Sequence, residues 1–169
     1  MFIRQKTIYN NPYAYLVRTK WDKRSKKVKQ KVSKYLGRVY HLDKVRNISF
    51  EEYYGVNLDK YVSESDLKKI VSDLVQLELY KHGFEQSREG IMENGTHSVD
   101  LNKIDKVFSM NEGFMNYNTL KEIFKYDFLL GDEAKNVPFR FASLFVNAGI
   151  DIEKGLFIAI YQKFFSDNI

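Results

Sequence analysis

Cysteine is absent from this 169-residue chain. That excludes disulfides, thiolate-bound metals and cysteine nucleophiles at once. Histidine is scarce. His41, His82 and His97 stand far apart and make none of the HxH, HxxxH or HExxH spacings that hold zinc. No glycine-rich phosphate loop, GxSxG elbow or dinucleotide fingerprint occurs. The acid pairs Glu51-Glu52 and Asp132-Glu133 are adjacent in sequence, so on a helix their carboxylates diverge instead of converging for acid–base work. No apolar run reaches the roughly 18 residues of a membrane helix. The opening Met1-Phe2-Ile3-Arg4-Gln5-Lys6 lacks the apolar segment of a secretory signal. These absences predict a cytoplasmic protein with no catalytic role, metal or cofactor.

The most telling scarcity is of acid at one end. Residues 1–46 hold 14 Lys and Arg against Asp22 and Asp43, a net of +12, whereas residues 47–169 carry a net of −7. The overall +5 averages a strongly basic head and an acidic body. Such asymmetry points to an electrostatic partner for the head, most often a nucleic acid. Material for a core is ample, since 44% of residues are hydrophobic and Phe and Tyr number 13 and 12.

Within the head, residues 2–8, 13–19 and 28–36 read as strands. They are separated by the Asn10-Asn11-Pro12 turn signal and the polar turn from Asp22 to Lys27, and Gly37 closes the last. Tyr13, Tyr15 and Val17 alternate with Ala14, Leu16 and Arg18, and Val28, Gln30 and Val32 alternate with Lys29, Lys31 and Ser33. Three strands with a basic face bury too little alone, so the sheet is expected to lean on the rest of the chain. The hairpin carries Arg18, Lys20, Lys23, Arg24, Lys26, Lys27, Lys29, Lys31 and Lys34, with Trp21, Gln30 and Tyr35 among them. A β-ribbon of this kind fits a DNA major groove or tracks phosphates. Trp21, Tyr15 and Tyr35 offer stacking surfaces for bases, while Arg18 and Gln30 match a base edge with paired donors or an amide.

The run Tyr13-Ala14-Tyr15-Leu16-Val17-Arg18, a charged turn, then Lys29-Gln30-Lys31-Val32-Ser33-Lys34-Tyr35-Leu36-Gly37 resembles the N-terminal segment of a group of insertion-sequence transposases. The matching positions are Lys29, Gln30, Lys31, Tyr35, Leu36 and Gly37. The stretch is also similar, more loosely, to the three-stranded arm-binding modules of tyrosine recombinases, which read DNA with a sheet. The rest of the chain is shorter than a transposase catalytic domain and shows no acid triad of that fold. The resemblance therefore implies a DNA-recognition head without the transposing enzyme.

The body reads as helices. Ser49 opens a short turn at 50–54. Ser63-Glu64-Ser65-Asp66 starts a helix, with serine or aspartate as its cap, whose apolar residues Leu67, Ile70, Val71, Leu74, Val75 and Leu77 run to Lys81-His82, and Gly83 stops it. Residues 85–98 read as a loop with at most one helical turn at Ile91-Met92, and 99–108 as a helix. Asn118 is expected to cap 119–125, Pro138 to sit in the first turn of 139–148, and Asp151 to cap 152–165. The buried stripe of that last helix is read as Leu156, Phe157, Ile160, Tyr161, Phe164 and Phe165. Its outer face, with Glu153, Lys154, Gln162 and Lys163, lacks the basic and amide residues of a groove-reading helix, which leaves packing or oligomerisation.

The expected architecture is α+β: a three-stranded antiparallel basic sheet over 1–46, followed by a helical bundle over 47–169. The expected work is non-catalytic binding of nucleic acid, DNA ahead of RNA, with the body as a homodimer or partner surface and no membrane contact. Two other readings stay open. One is a module docking an acidic protein surface within a nucleoprotein complex, and the other a small metal-dependent nuclease or recombination enzyme.

Overall fold

Three strands form at the N-terminus where period-two patterning predicts them: β1 (Phe2–Ile8), β2 (Asn11–Asp22) and β3 (Lys27–His41). They pair antiparallel in sequence order. This computed structural model describes residues 1–126 and 137–165. The Asp132-Glu133 pair, the side chain of Phe165 and the tail at 166–169 lie outside the described residues.

The class is α+β, but a three-stranded sheet followed by a helical bundle is not what forms. β3 does not stop at Gly37. It continues to His41, and Val39, Tyr40 and His41 pair in parallel with Val107, Phe108 and Ser109 of β7 (Val107–Met110). β8 (Gly113–Met115) adds to β7, giving a five-stranded sheet of order β1-β2-β3-β7-β8. A second, three-stranded sheet consists of β4 (Glu85–Arg88), β5 (Ile91–Glu93) and β6 (Ser98–Asp100). The loop expected at 85–98 and the helix expected at 99–108 are thus both strand-bearing. Each short strand buries little: Met92 and Val99, opposite one another, face the core while β4 is exposed throughout. The apolar spacing of Val99, Ile104, Val107 and Phe108 resembles one helical stripe, yet Val99 and Val107 belong to different sheets.

Helices supply the rest: α1 (Phe50–Tyr54), α2 (Leu58–Glu64), α3 (Leu67–Lys81), α4 (Tyr117–Phe124), α5 (Val137–Asn147) and α6 (Lys154–Phe165). In α1 the side chain of Ser49 accepts from the Glu52 amide and Glu52 accepts from the Ser49 amide, a reciprocal capping box. Of the serines and the aspartate at the expected start of α3, Asp66 is the cap, its side chain accepting from the Lys69 amide. At its other end the amides of Gly83 and Phe84 donate to the carbonyls of Tyr80 and Leu79 at 3.1 and 3.0 Å, a Schellman stop that needs the positive φ of Gly83. Two expected caps move. Asn116, not Asn118, accepts from the first-turn amides of α4, and α6 begins at Lys154, three residues beyond Asp151. The main core lies around α3, whose Ile70, Val71, Leu74, Leu77 and Leu79 are shut from water against Phe84, Phe108, Phe141, Phe145 and Ile160. A smaller cluster of Ala14, Val39 and Val107, flanked by Ile3, Leu36 and Phe114, seats the base of the N-terminal strands.

Candidate nucleic-acid interface

β1 pairs with β2 only from Phe2 opposite Val17 to Ile8 opposite Asn11. Among the described residues no third strand pairs with the β2–β3 hairpin beyond Val17, so its outer part is a two-stranded arm. With about 3.4 Å of rise per residue, the paired segment from Arg18 to Asp22 spans about 14 Å before the turn. From Arg18 to Tyr35 every residue except Asp22 is solvent-exposed. Where β3 leaves the body, the register slips twice, between Ala14 and Tyr15 and between Leu16 and Val17, leaving Leu36 and Ser33 as extra residues on β3. Such bulges bend a strand and increase its local twist, here at the base of the arm.

Cross-strand partners share a face, so register sorts the arm's side chains. One face carries Arg18 opposite Lys31, Lys20 opposite Lys29 and Asp22 opposite Lys27, with Lys34 opposite Leu16 nearer the body. The other carries Val17 opposite Val32, Thr19 opposite Gln30 and Trp21 opposite Val28. Tyr15 and Tyr35 extend that second face, their rings 5.4 Å apart, and Tyr13 lies 6.2 Å from Tyr35. β1 contributes Arg4 opposite Tyr15 and Lys6 opposite Tyr13. Lys6 Nζ stands 5.4 Å from the Tyr15 ring centre, and Arg4 Nη1 donates to Gln30 Oε1 at 2.9 Å. The arm is therefore two-sided, cationic on one face and aromatic on the other.

Asp22 is the arm's one acid, and it shapes the turn. It pairs with Lys29 and accepts from the Arg24 amide at 3.0 Å. The Lys29 ammonium first, and the Arg24 amide second, hold its carboxyl below the usual aspartate range. Lys26 takes a positive φ as the turn closes, so Lys23, Arg24 and Lys26 crown the arm.

All twelve residues singled out from the sequence lie on this hairpin and face solvent. They do not form one site. Arg18, Lys20, Lys27, Lys29, Lys31 and Lys34 gather on the cationic face, Lys23, Arg24 and Lys26 at the tip, and Trp21, Gln30 and Tyr35 on the opposite side. The two expected base readers are separated as well, and both are engaged: Gln30 by Arg4, and Arg18 by Met1, whose sulfur accepts from Nε at 3.1 Å. The sequence reading missed Arg4, Lys6 and Arg38, which flank the aromatic face. Alternation within β1 and β3 marks them, but only strand register shows what they flank. Two other basic residues of the head serve the body. Arg46 Nη1 donates to the carbonyl oxygens of Tyr80 and Phe84 at the C-terminal end of α3 and pairs with Glu85, and Lys44 pairs with Asp151.

Elsewhere, among the described residues, no three His, Asp or Glu side chains converge as a metal site, and no helix is long and apolar enough to cross a membrane. No known protein family, curated protein or solved structure matches the chain.

Proposed function

We propose that this chain is a non-catalytic nucleic-acid-binding protein, with DNA the favoured ligand, that engages phosphates through the cationic face and tip of its β2–β3 arm. One observation carries the reading: Arg18 stands opposite Lys31 and Lys20 opposite Lys29 on a two-stranded ribbon, with Asp22 alone to offset them. Like charges directly opposite one another destabilise a strand pair by about 0.2–1 kcal/mol each. A solvated face needs no such ladder, whereas a row of phosphates turns the repulsion into attraction. The likeness of residues 13–37 to the N-terminal segments of transposases supports DNA as the ligand, with recognition and not strand transfer as this chain's part.

The test is salt-dependent binding. Six to eight phosphate contacts give log K against log salt a slope of about −5 to −7 on duplex DNA, from about −0.9 per contact. Replacing Lys20, Lys27, Lys31 and Lys34 with Gln, while keeping Lys29 as the partner of Asp22, is expected to make that slope shallower by about 3 to 4. An unchanged slope removes the cationic face from the interface. Failure to bind DNA or RNA at low salt turns the search toward acidic protein surfaces.

A further inference from the structure

Duplex DNA gives the cationic face a complete partner and leaves the opposite face with none. Trp21 is 57% exposed and its cross-strand neighbour Val28 61%, on a stretch of the arm that pairs with no third strand among the described residues. Tyr35 is 54% exposed on the same face. A paired duplex hides the flat surfaces of its bases inside the stack, so an indole lying against its backbone gains little. An unpaired strand exposes those surfaces, and base–aromatic stacking does not depend on sequence. Charge on the aromatic face selects the same occupant: Arg4 and Lys6 border the tyrosines from β1, and Arg38 lies opposite Tyr13.

Resting on the nucleic-acid reading above, we infer that the arm recognises a junction between duplex and single strand. The cationic face lies along duplex phosphates, and the unpaired strand runs over the aromatic face, with bases on Trp21 and Tyr35 and phosphates near Arg4 and Lys6. The two faces point in opposite directions from one ribbon, so a single straight duplex cannot occupy both. A fork or an overhang can, because its strands part. The tip cations at Lys23, Arg24 and Lys26 sit where the two paths diverge.

Trp21 is the chain's one tryptophan, which makes it a direct reporter. The full chain is titrated with three labelled DNAs of equal duplex length or strand length: blunt duplex, duplex with a single-stranded overhang, and single strand alone. Anisotropy and Trp21 fluorescence are followed together. The junction is expected to bind about tenfold more tightly than the blunt duplex, within the range that stacking of one base supplies. It should quench Trp21, while blunt duplex leaves the emission unchanged. Trp21→Leu should remove the junction preference and Trp21→Phe largely keep it, with blunt-duplex affinity unaltered in both. Salt-sensitive binding with equal affinity for junction and blunt duplex, and no quench, overturns the junction while leaving phosphate binding by the arm intact. Single strand alone binding as tightly as the junction also overturns it. Binding to none of the three sinks both readings together.

Discussion

At the scale of single residues, the fold is held by a buried polar knot that no sequence pattern announces. Glu78 on α3 is 1% exposed. Its Oε1 accepts from Asn111 Nδ2 at 2.8 Å, and its Oε2 from the Asp151 amide at 3.2 Å. The same Asn111 amide group donates to the Gly149 carbonyl at 2.8 Å, and Asn111 holds a positive φ in the turn between β7 and β8. His82, one turn on, places Nδ1 2.8 Å from the Glu78 carbonyl oxygen, which can only accept, so that nitrogen carries the proton. One carboxylate thus fastens the central helix to the β7–β8 turn and to the α5–α6 connection. Glu78→Leu removes the carboxylate that accepts from the Asn111 side chain and the Asp151 amide. Both of those residues reach solvent and their donors can rehydrate, so the expected cost is that of the lost charged acceptor, about 1.5–3 kcal/mol. Glu78→Gln keeps one acceptor and should cost about half as much. Urea midpoints of the two variants check this. Equal stability of Glu78→Leu and the parent would mean that apolar packing compensates fully for the lost network.

At the scale of elements, legibility followed length and locality. The 15-residue α3 announced itself through a start rich in serine and acid, helical apolar spacing and a terminating glycine, all within or beside its own residues. The arm announced itself through charge and alternation. β5, β6 and β8 have three residues each, too few for a period of two to stand out, and β3 meets β7 across more than sixty residues of chain. Nor did alternation alone show which cations share a face with which aromatics, because the bulges at Ser33 and Leu36 shift the count along β3. Glycines show the same limit. Gly55 and Gly113 look alike in sequence, yet a Cβ on Gly55 meets nothing within 4 Å, while one on Gly113 lands 2.1 Å from the Val146 carbonyl oxygen and 2.4 Å from the Gly149 nitrogen. The end of α5 lies directly on the backbone of β8. Gly55→Ala, at φ 62, should therefore cost only the left-handed penalty of about 1–2 kcal/mol. Gly113→Ala must push helix and strand apart and should cost about 3 kcal/mol or more. Thermal melts of the pair would refute this if the order were reversed.

At the scale of the whole molecule, two kinds of basic residue share the first 46 positions, and they predict opposite consequences of cutting. The outer arm, roughly from Arg18 to Lys31, is exposed and supplies nothing to either hydrophobic cluster. Its base does the reverse. Ala14 and Val39 bury against Val107, β3 hydrogen-bonds to β7, and Arg46 closes the C-terminal end of α3. Replacing residues 19–30 with an Asn-Gly turn should thus change folding stability by about 0.5 kcal/mol or less, as for other surface changes. The same deletion should weaken nucleic-acid binding strongly, because Lys20, Lys27 and Lys29 of the cationic face and all three tip cations leave with it, while Arg18, Lys31 and Lys34 remain. Removing residues 1–46 takes three of five strands from the main sheet and opens Val107 and Phe108 to water. That fragment should lose its sharp unfolding transition and hence cannot serve as a clean binding-negative control. A cooperative melt of residues 47–169 would show instead that the helices and the second sheet fold without the head. Binding would then belong to an appended module and not to a sheet shared with the core.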